Sequence, residues 1–145
     1  MKRLLIGIGV VAAIGLPATA SASSTDLAGN INPSGTISMT VKKKNGHTKV
    51  VKLIWHNLPV SCNSGDYTAS GDSTGFVFKV NKQNEFGATL TNQSQTATAK
   101  IAGKLKNHGT KATGTIRQQG QVLTDANGTQ AGCDSGKDDW SAEKV

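Results

Sequence analysis

A five-residue segment has the spacing of a serine nucleophile motif. Gly71-Asp72-Ser73-Thr74-Gly75 matches the pattern G-x-S-x-G, in which a serine on a strand-to-helix turn attacks a carbonyl carbon. The helix matters because its N-terminus helps to stabilise the oxyanion. Here Phe76-Val77-Phe78 follows and favours a strand, and the only acid between Ser73 and the one later histidine, His108, is Glu85. The sequence therefore predicts a polar loop and no catalytic residue.

Two other groups of side chains could in principle bind a metal ion. Asp134, Asp138 and Asp139 cluster near the C-terminus, but calcium loops alternate their acids, and Lys137 interrupts that spacing. We expect a solvated turn there, in which Asp side chains accept hydrogen bonds from nearby backbone N–H groups. The histidines are too dispersed to form a ligand set: His47, His56 and His108. The sequence predicts neither a metal site nor a cofactor.

Basic residues concentrate around two predicted hairpins, without an intervening acid. The first hairpin carries Lys42, Lys43, Lys44, Lys49 and Lys52, and the second carries Lys100, Lys104, Lys106, Lys111 and Arg117. If both hairpins lie on one edge of the sheet, they form a basic patch that attracts nucleic acid, teichoic acid or acidic lipid. We predict such a polyanion patch at Lys42, Lys43, Lys44, Lys49, Lys52, Lys104, Lys106 and Lys111. Alternatively, these lysines protect sheet edges and keep the protein soluble.

The N-terminal segment indicates export. The basic start Met1-Lys2-Arg3 precedes an almost entirely apolar run at residues 4–16 and then several small residues. This order is typical of a secretory signal peptide, and the apolar run is too short for a membrane span. We predict cleavage after Ala20 or Ala22, which divides the chain into a signal peptide (1–22) and a secreted domain without a membrane span (23–145).

Export places the two cysteines where a disulfide can persist. A bond between Cys62 and Cys133 would close a loop of about 72 residues, worth roughly 4 kcal/mol in the chain-entropy treatment. This matters because the chain has few aromatic residues, and its core must therefore consist mainly of Val, Ile, Leu and Ala. We predict this disulfide, and we expect Trp140, a large aromatic residue in a polar tail, to be buried.

Short alternating segments between turn residues predict an antiparallel all-β fold. The clearest hairpin turns at Asn45-Gly46, a pair that accepts the positive φ of a type I′ turn. Leu58-Pro59 is predicted to end the returning strand, because proline cannot donate to a ladder, and residues 60–74 are predicted to form a long loop. Further alternating segments lie at 76–80, 86–90, 97–105 and 112–116, with short ones near Val122 and Trp140. We predict a single antiparallel β-sandwich, or a flattened barrel, of seven or eight strands.

Spaced motifs in the domain resemble those of a group of secreted proteins. The motifs are Pro59-Val60-Ser61-Cys62, Gly103-Lys104-Leu105, Ala112-Thr113-Gly114-Thr115-Ile116, Cys133-Asp134-Ser135-Gly136 and Trp140-Ser141-Ala142. In these motifs the chain resembles small secreted all-β proteins of actinobacteria, for which no activity or ligand is known. The resemblance covers most of the chain after the leader, and it implies a sandwich stapled by a disulfide.

These features predict an exported, non-catalytic protein that binds at the cell envelope or binds an extracellular polyanion. One alternative is a secreted inhibitor or effector that acts on another protein through a loop such as 60–74. The second alternative is a small secreted hydrolase built on the motif around Ser73.

Overall fold

Alternating apolar and polar residues become strands throughout the computed structural model, which describes residues 21–145. Those residues contain β1 (Ser23–Ile31), β2 (Thr36–Lys44), β3 (His47–Cys62), β4 (Gly65–Asp72), β5 (Phe78–Lys79), β6 (Glu85–Thr91), β7 (Ala97–Lys106), β8 (Lys111–Thr124), β9 (Gly128–Asp134) and β10 (Asp138–Lys144). A 3₁₀ turn at Asn107–Gly109 connects β7 to β8. The ten strands pair antiparallel in one sheet, so the predicted all-β antiparallel class is confirmed, with more strands than expected.

The predicted signal peptide lies outside the described residues, apart from its last two positions. β1 begins at Ser23, immediately after the second predicted cleavage position. Within the described part of the chain, no helix has the length and hydrophobicity that a transmembrane span requires.

The segment from Leu58 to Asp72 is a β-hairpin, so two predictions about it are wrong. β3 continues through Pro59 to Cys62, and β4 replaces most of the expected loop. Along this stretch β3 has β4 on one side and meets β9 on the other only at Ser61. It therefore has the character of an edge strand, where proline is tolerated.

The sequence of β1 does not predict a strand. Its Ser, Asp, Gly and Asn residues have low strand propensity, and only Leu27 and Ile31 are buried. Hydrogen bonds between strands stabilise β1 despite this low propensity, because β1 lies between β2 and β10 and forms a ladder with each.

The strand pairings form a closed path. Neighbours follow the order β10-β1-β2-β3-β4-β8-β7-β6, and β10 also pairs with β8. The path therefore returns from β8 through β10 to β1, while β7 and β6 continue from the other side of β8. This closure brings the start of β1, the β2–β3 hairpin and the β7–β8 turn to one end of the sheet, where a cavity opens.

Buried side chains form two apolar clusters. The larger one includes residues from most strands, among them Leu27, Leu53, Phe78, Ile101, Ile116 and Trp140. The smaller one consists of Val60, Ala69, Val122 and Cys133, with Cys62 and Tyr67 packed against it. The predicted disulfide between Cys62 and Cys133 is present, and it joins the end of β3 to β9 beside the smaller cluster. The bond therefore strengthens the part of the fold that buries the least apolar surface.

Trp140 is buried, as predicted, and its indole occupies space that two glycines leave free. A Cβ atom at Gly114 would overlap the indole and the carbonyl oxygen of Ala102, and one at Gly103 would overlap the ring of Phe86. The Trp140 ring also packs against Phe86, with the ring centroids 6.3 Å apart. The glycines on β7 and β8 thus allow large aromatic side chains to approach the backbone closely.

Replacing Cys62 and Cys133 together with alanine should lower the free energy of unfolding by about 2–5 kcal/mol, the usual loss for disulfides of small secreted domains. Urea unfolding measures this loss. Amide hydrogen exchange should accelerate more in β4 and β9 than in β1 and β2, because the bond lies beside the smaller cluster. An unchanged unfolding midpoint would contradict a stabilising role for the bond.

Trp140→Ala should destabilise the protein by about 3–5 kcal/mol, because a large aromatic side chain is removed from a packed core. Gly114→Ala should also be destabilising, since its new Cβ competes with the indole for the same space. Ser141→Ala is the matched control: this exposed neighbour should change stability by less than about 0.5 kcal/mol. Thermal unfolding followed by circular dichroism separates the three, and a neutral Trp140→Ala would show that the indole is not part of the core.

Candidate functional site

Strand alternation divides the three consecutive lysines of β2 between two faces of the sheet. Successive side chains of a strand point to opposite faces. Lys42 and Lys44 lie on the outer face, whereas Lys43 shares a face with buried Val41 and lines the cavity at the end of the sheet. These lysines therefore cannot act as one continuous patch.

Three lysines form a row across neighbouring strands, which we call the lysine row: Lys42, Lys49 and Lys79. Lys42 on β2 lies directly opposite Lys49 on β3, which lies directly opposite Lys79 on β5. All three are exposed, and none forms an ion pair with another described residue. Like charges directly opposite one another destabilise a sheet. The requirements of folding therefore do not account for this row.

Three of the five basic residues of the second hairpin are paired with acids that other strands contribute. The ion pairs are Lys104–Glu85 (3.6 Å between Nζ and Oε1), Lys111–Glu143 (2.7 Å between Nζ and Oε1) and Arg117–Asp134 (2.6 Å between Nη2 and Oδ2). Glu85, Glu143 and Asp134 belong to β6, β10 and β9. The chain carries no acid within this hairpin, but the sheet places one beside each of these three cations.

The two hairpins meet at the cavity, which we call the mouth cavity. It has a volume of about 430 Å³, and its lining includes Lys43 from β2, Lys106 from β7 and His108 from the β7–β8 turn. Of the eight lysines in the predicted patch, the structure brings Lys43 and Lys106 together here and places Lys42 and Lys49 in the lysine row. Sequence analysis missed the third member of that row, because the pairing of the two-residue strand β5 with β3 has no local signal.

Lys44 and Lys52, the remaining lysines of the predicted patch, have different neighbours. Lys44 lies opposite His47 at the tip of the first hairpin, and Lys52 lies opposite Thr40 in the row next to the lysine row. Hydrogen bonds from Thr74 lower the pKa of Asp72, and the positive charge of Lys52 makes a smaller contribution in the same direction. The outer face of the first hairpin therefore carries four of the eight lysines of the predicted patch: Lys42, Lys44, Lys49 and Lys52.

Ser73, the candidate nucleophile, has a structural role. Its side chain is 2% exposed, and its Oγ accepts a hydrogen bond from the N–H of Leu53 at 3.0 Å. Its own N–H donates to the carbonyl oxygen of Leu53 at 2.9 Å. Ser73 thereby continues the pairing of β3 beyond the end of β4. It also lines a cavity with Phe76 and Leu90, but its hydroxyl is buried and already bonded to the backbone.

Asp138 and Asp139 begin β10 and do not lie in the expected solvated turn, and Asp134 and Asp138 have different environments. Asp134 accepts hydrogen bonds from Arg117 and from the N–H of Gly136, and the Arg117 contact is the main reason that its pKa falls to about 2. Asp138 is half-buried, its Oδ2 has no partner among the described residues, and burial raises its pKa. The predicted bond from a nearby backbone N–H is thus found at Asp134. Within residues 21–145, no group of three or more His, Cys, Asp or Glu is placed to hold a metal ion.

No protein-family model, curated protein or solved structure matches the chain at a significant level.

The opposite pKa shifts of Asp134 and Asp138 predict opposite effects of acid. The pKa of Asp134 is lowered in the folded state, so its contribution to stability is complete above about pH 4 and is lost as the pH falls towards 2. Asp134→Asn should therefore lower the melting temperature at pH 7 and have a much smaller effect at pH 2, where about half of the folded molecules already carry a protonated Asp134. The loss should be a few degrees at most, because the ion pair is more than a third exposed.

Asp138→Asn should have the reverse sign. The raised pKa means that the ionised carboxylate is disfavoured in the folded protein, so removing its charge should raise the melting temperature at pH 7 and have little effect at pH 2. Melting curves of Asp134→Asn and Asp138→Asn between pH 2 and pH 7 test both predictions. A melting temperature of Asp138→Asn below that of the unmodified protein at pH 7 would show that its carboxylate has a favourable partner.

Proposed function

We propose that this protein is exported, has no catalytic activity, and binds an extracellular polyanion at the cell envelope through the lysine row. The observation that carries this proposal is the direct opposition of Lys42, Lys49 and Lys79 without a neighbouring acid in an ion pair. Neighbouring strands lie about 4.8 Å apart, so the three ammonium groups can contact successive anionic groups of one polymer.

Protection of a sheet edge does not explain Lys42 and Lys49, two of the three members of the lysine row. Lys49 lies on β3 at a point where β2 pairs on one side and β5 pairs on the other. An interior strand has no free edge for a lysine to protect. Solubility alone would also be served by dispersed charges, whereas directly opposed lysines repel one another in the absence of an anion.

Export is supported by the signal-peptide pattern in the sequence and by the disulfide. Disulfides form and persist in oxidising surroundings outside the cytosol. The bond between Cys62 and Cys133 is therefore compatible with an extracellular protein. The absence of catalysis is supported by Ser73, whose hydroxyl is buried and bonded to the backbone of Leu53.

A second candidate function is the recognition of another protein. The hairpin that replaces the expected loop at residues 60–74 gives this alternative no flexible binding segment. Phe76 and Val77, which follow it, are 39% and 46% exposed, and Phe76 lines a cavity of about 300 Å³ with Leu90. Exposed apolar residues beside a cavity are suited to contact an apolar side chain of a partner.

Chromatography on heparin and on immobilised teichoic acid tests the polyanion proposal. The protein should be retained at low salt and should elute as salt rises, because each lysine–phosphate contact releases a counterion. Lys42→Gln/Lys49→Gln should elute at clearly lower salt, with a melting temperature no lower than that of the unmodified protein, because the change also removes the repulsion between opposed lysines. Lys104→Gln/Lys111→Gln is the control, because it removes the same charge from lysines that are already paired with Glu85 and Glu143.

Two outcomes would contradict the proposal. Elution of the unmodified protein in the void volume at low salt would exclude polyanion binding. An equal loss of retention in the two double variants would show that net charge, and not the lysine row, determines binding.

A further inference from the structure

We infer that the mouth cavity is a binding site for a small phosphomonoester, separate from the lysine row on the outer face. The two sites use different residues, because Lys43 lies on the opposite face of β2 from Lys42. The inference therefore stands independently of polyanion binding.

One wall of the mouth cavity is a row of polar side chains across three strands. Lys43 on β2 lies directly opposite Ser23 on β1 and Thr48 on β3. In an antiparallel sheet, directly opposite residues place their side chains on the same face. The wall thus offers an ammonium group with a hydroxyl on each side of it, and all three residues line the cavity.

The other wall comes from two turns. Lys106 and His108 lie at the β7–β8 turn, and Asn84 lies immediately before β6. His108 and Asn84 have φ values of 56° and 63°, in the left-handed region. Asn and His adopt this conformation more readily than most other non-glycine residues, so the two turns place polar side chains beside the cavity.

The mouth cavity is cationic, and its side chains are uncommitted. None of the described residues that line it is acidic. Lys43 and Lys106 form no ion pair with another described residue, in contrast to Lys104 and Lys111 on the same hairpin as Lys106. Buried Val41 and Leu105 also line the cavity and give it an apolar floor. Two unpaired ammonium groups at one cavity favour a ligand with more than one negative charge.

The arrangement and size of the cavity select the class of ligand. Several donors around one cavity suit the tetrahedral oxygens of a phosphate, which accept from more directions than the two coplanar oxygens of a carboxylate. A volume of about 430 Å³ exceeds what a phosphate group needs and lies within the range of small-molecule sites. The space left beside the phosphate accommodates a compact polar group such as a short polyol, whose hydroxyls can bond to Thr48, Ser23 and Asn84.

Titrations of the ¹⁵N-labelled protein at constant ionic strength test this site. Glycerol 3-phosphate and inorganic phosphate should each shift the amide resonances of Thr48 and of residues 106–109 in a saturable manner, and glycerol alone should not. Lys43→Gln and Lys106→Gln should each weaken binding about tenfold, because each removes a charge-assisted hydrogen bond. Lys42→Gln, adjacent in the chain but on the outer face, should weaken binding by less than about twofold.

The titrations have one outcome that establishes the site and two that overturn it. Saturable shifts at the mouth cavity that depend on Lys43 and Lys106 would establish the site, whether or not the protein is retained on heparin. The inference is overturned if neither phosphate compound shifts these resonances, or if Lys42→Gln weakens binding as much as Lys43→Gln does.

Discussion

The fold depends on the pairing of the last strand with two others. β10 forms ladders with β1 on one side and with β8 on the other, and it buries Trp140 and Ala142 between them. Without β10, β1 and β8 would each present a row of unpaired backbone groups, which is a hazard for aggregation. The same pairing places the start of β1 near the β7–β8 turn. The mouth cavity therefore exists because a seven-residue strand at the C-terminus closes the path of strands.

The charged side chains of this protein interact mainly with charged residues on neighbouring strands, and hardly with charged residues nearby in the chain. Lys104 and Lys111 look equivalent to Lys42 and Lys49 in the sequence, since both groups lie in basic hairpins without acids. The sheet gives the first pair acidic partners, even though Lys111 also lies directly opposite Lys106. It leaves the second pair opposed to lysines without an ion pair to an acid. A cross-strand neighbour lies closer than a residue two positions along the same strand, so it dominates the electrostatic environment of an exposed side chain.

Burial explains why the nucleophile-like motif has a structural role. Beyond the end of β4, the hydroxyl of Ser73 accepts the hydrogen bond from the N–H of Leu53. Without it, this N–H would lack an acceptor. A buried N–H without an acceptor is costly, which gives a physical reason for a small hydroxyl residue at this position. Gly71 on the same segment lies against the indole of Trp55, where a Cβ atom would overlap the ring. Packing and backbone pairing together account for the motif.

The sequence by itself determined the class of fold, the hairpin at Asn45-Gly46, the disulfide and the burial of Trp140, because alternation, turn chemistry and cysteine pairing depend on residue type and local spacing. It concealed β1 and the hairpin after Leu58, whose polar residues become strands only because neighbours pair with them. It located the basic residues but not their grouping. Only the tertiary structure decided that Lys43 lines a cavity and that Lys42 belongs to a row of lysines. The register between distant strands determines both, and the packing of the whole sheet sets that register.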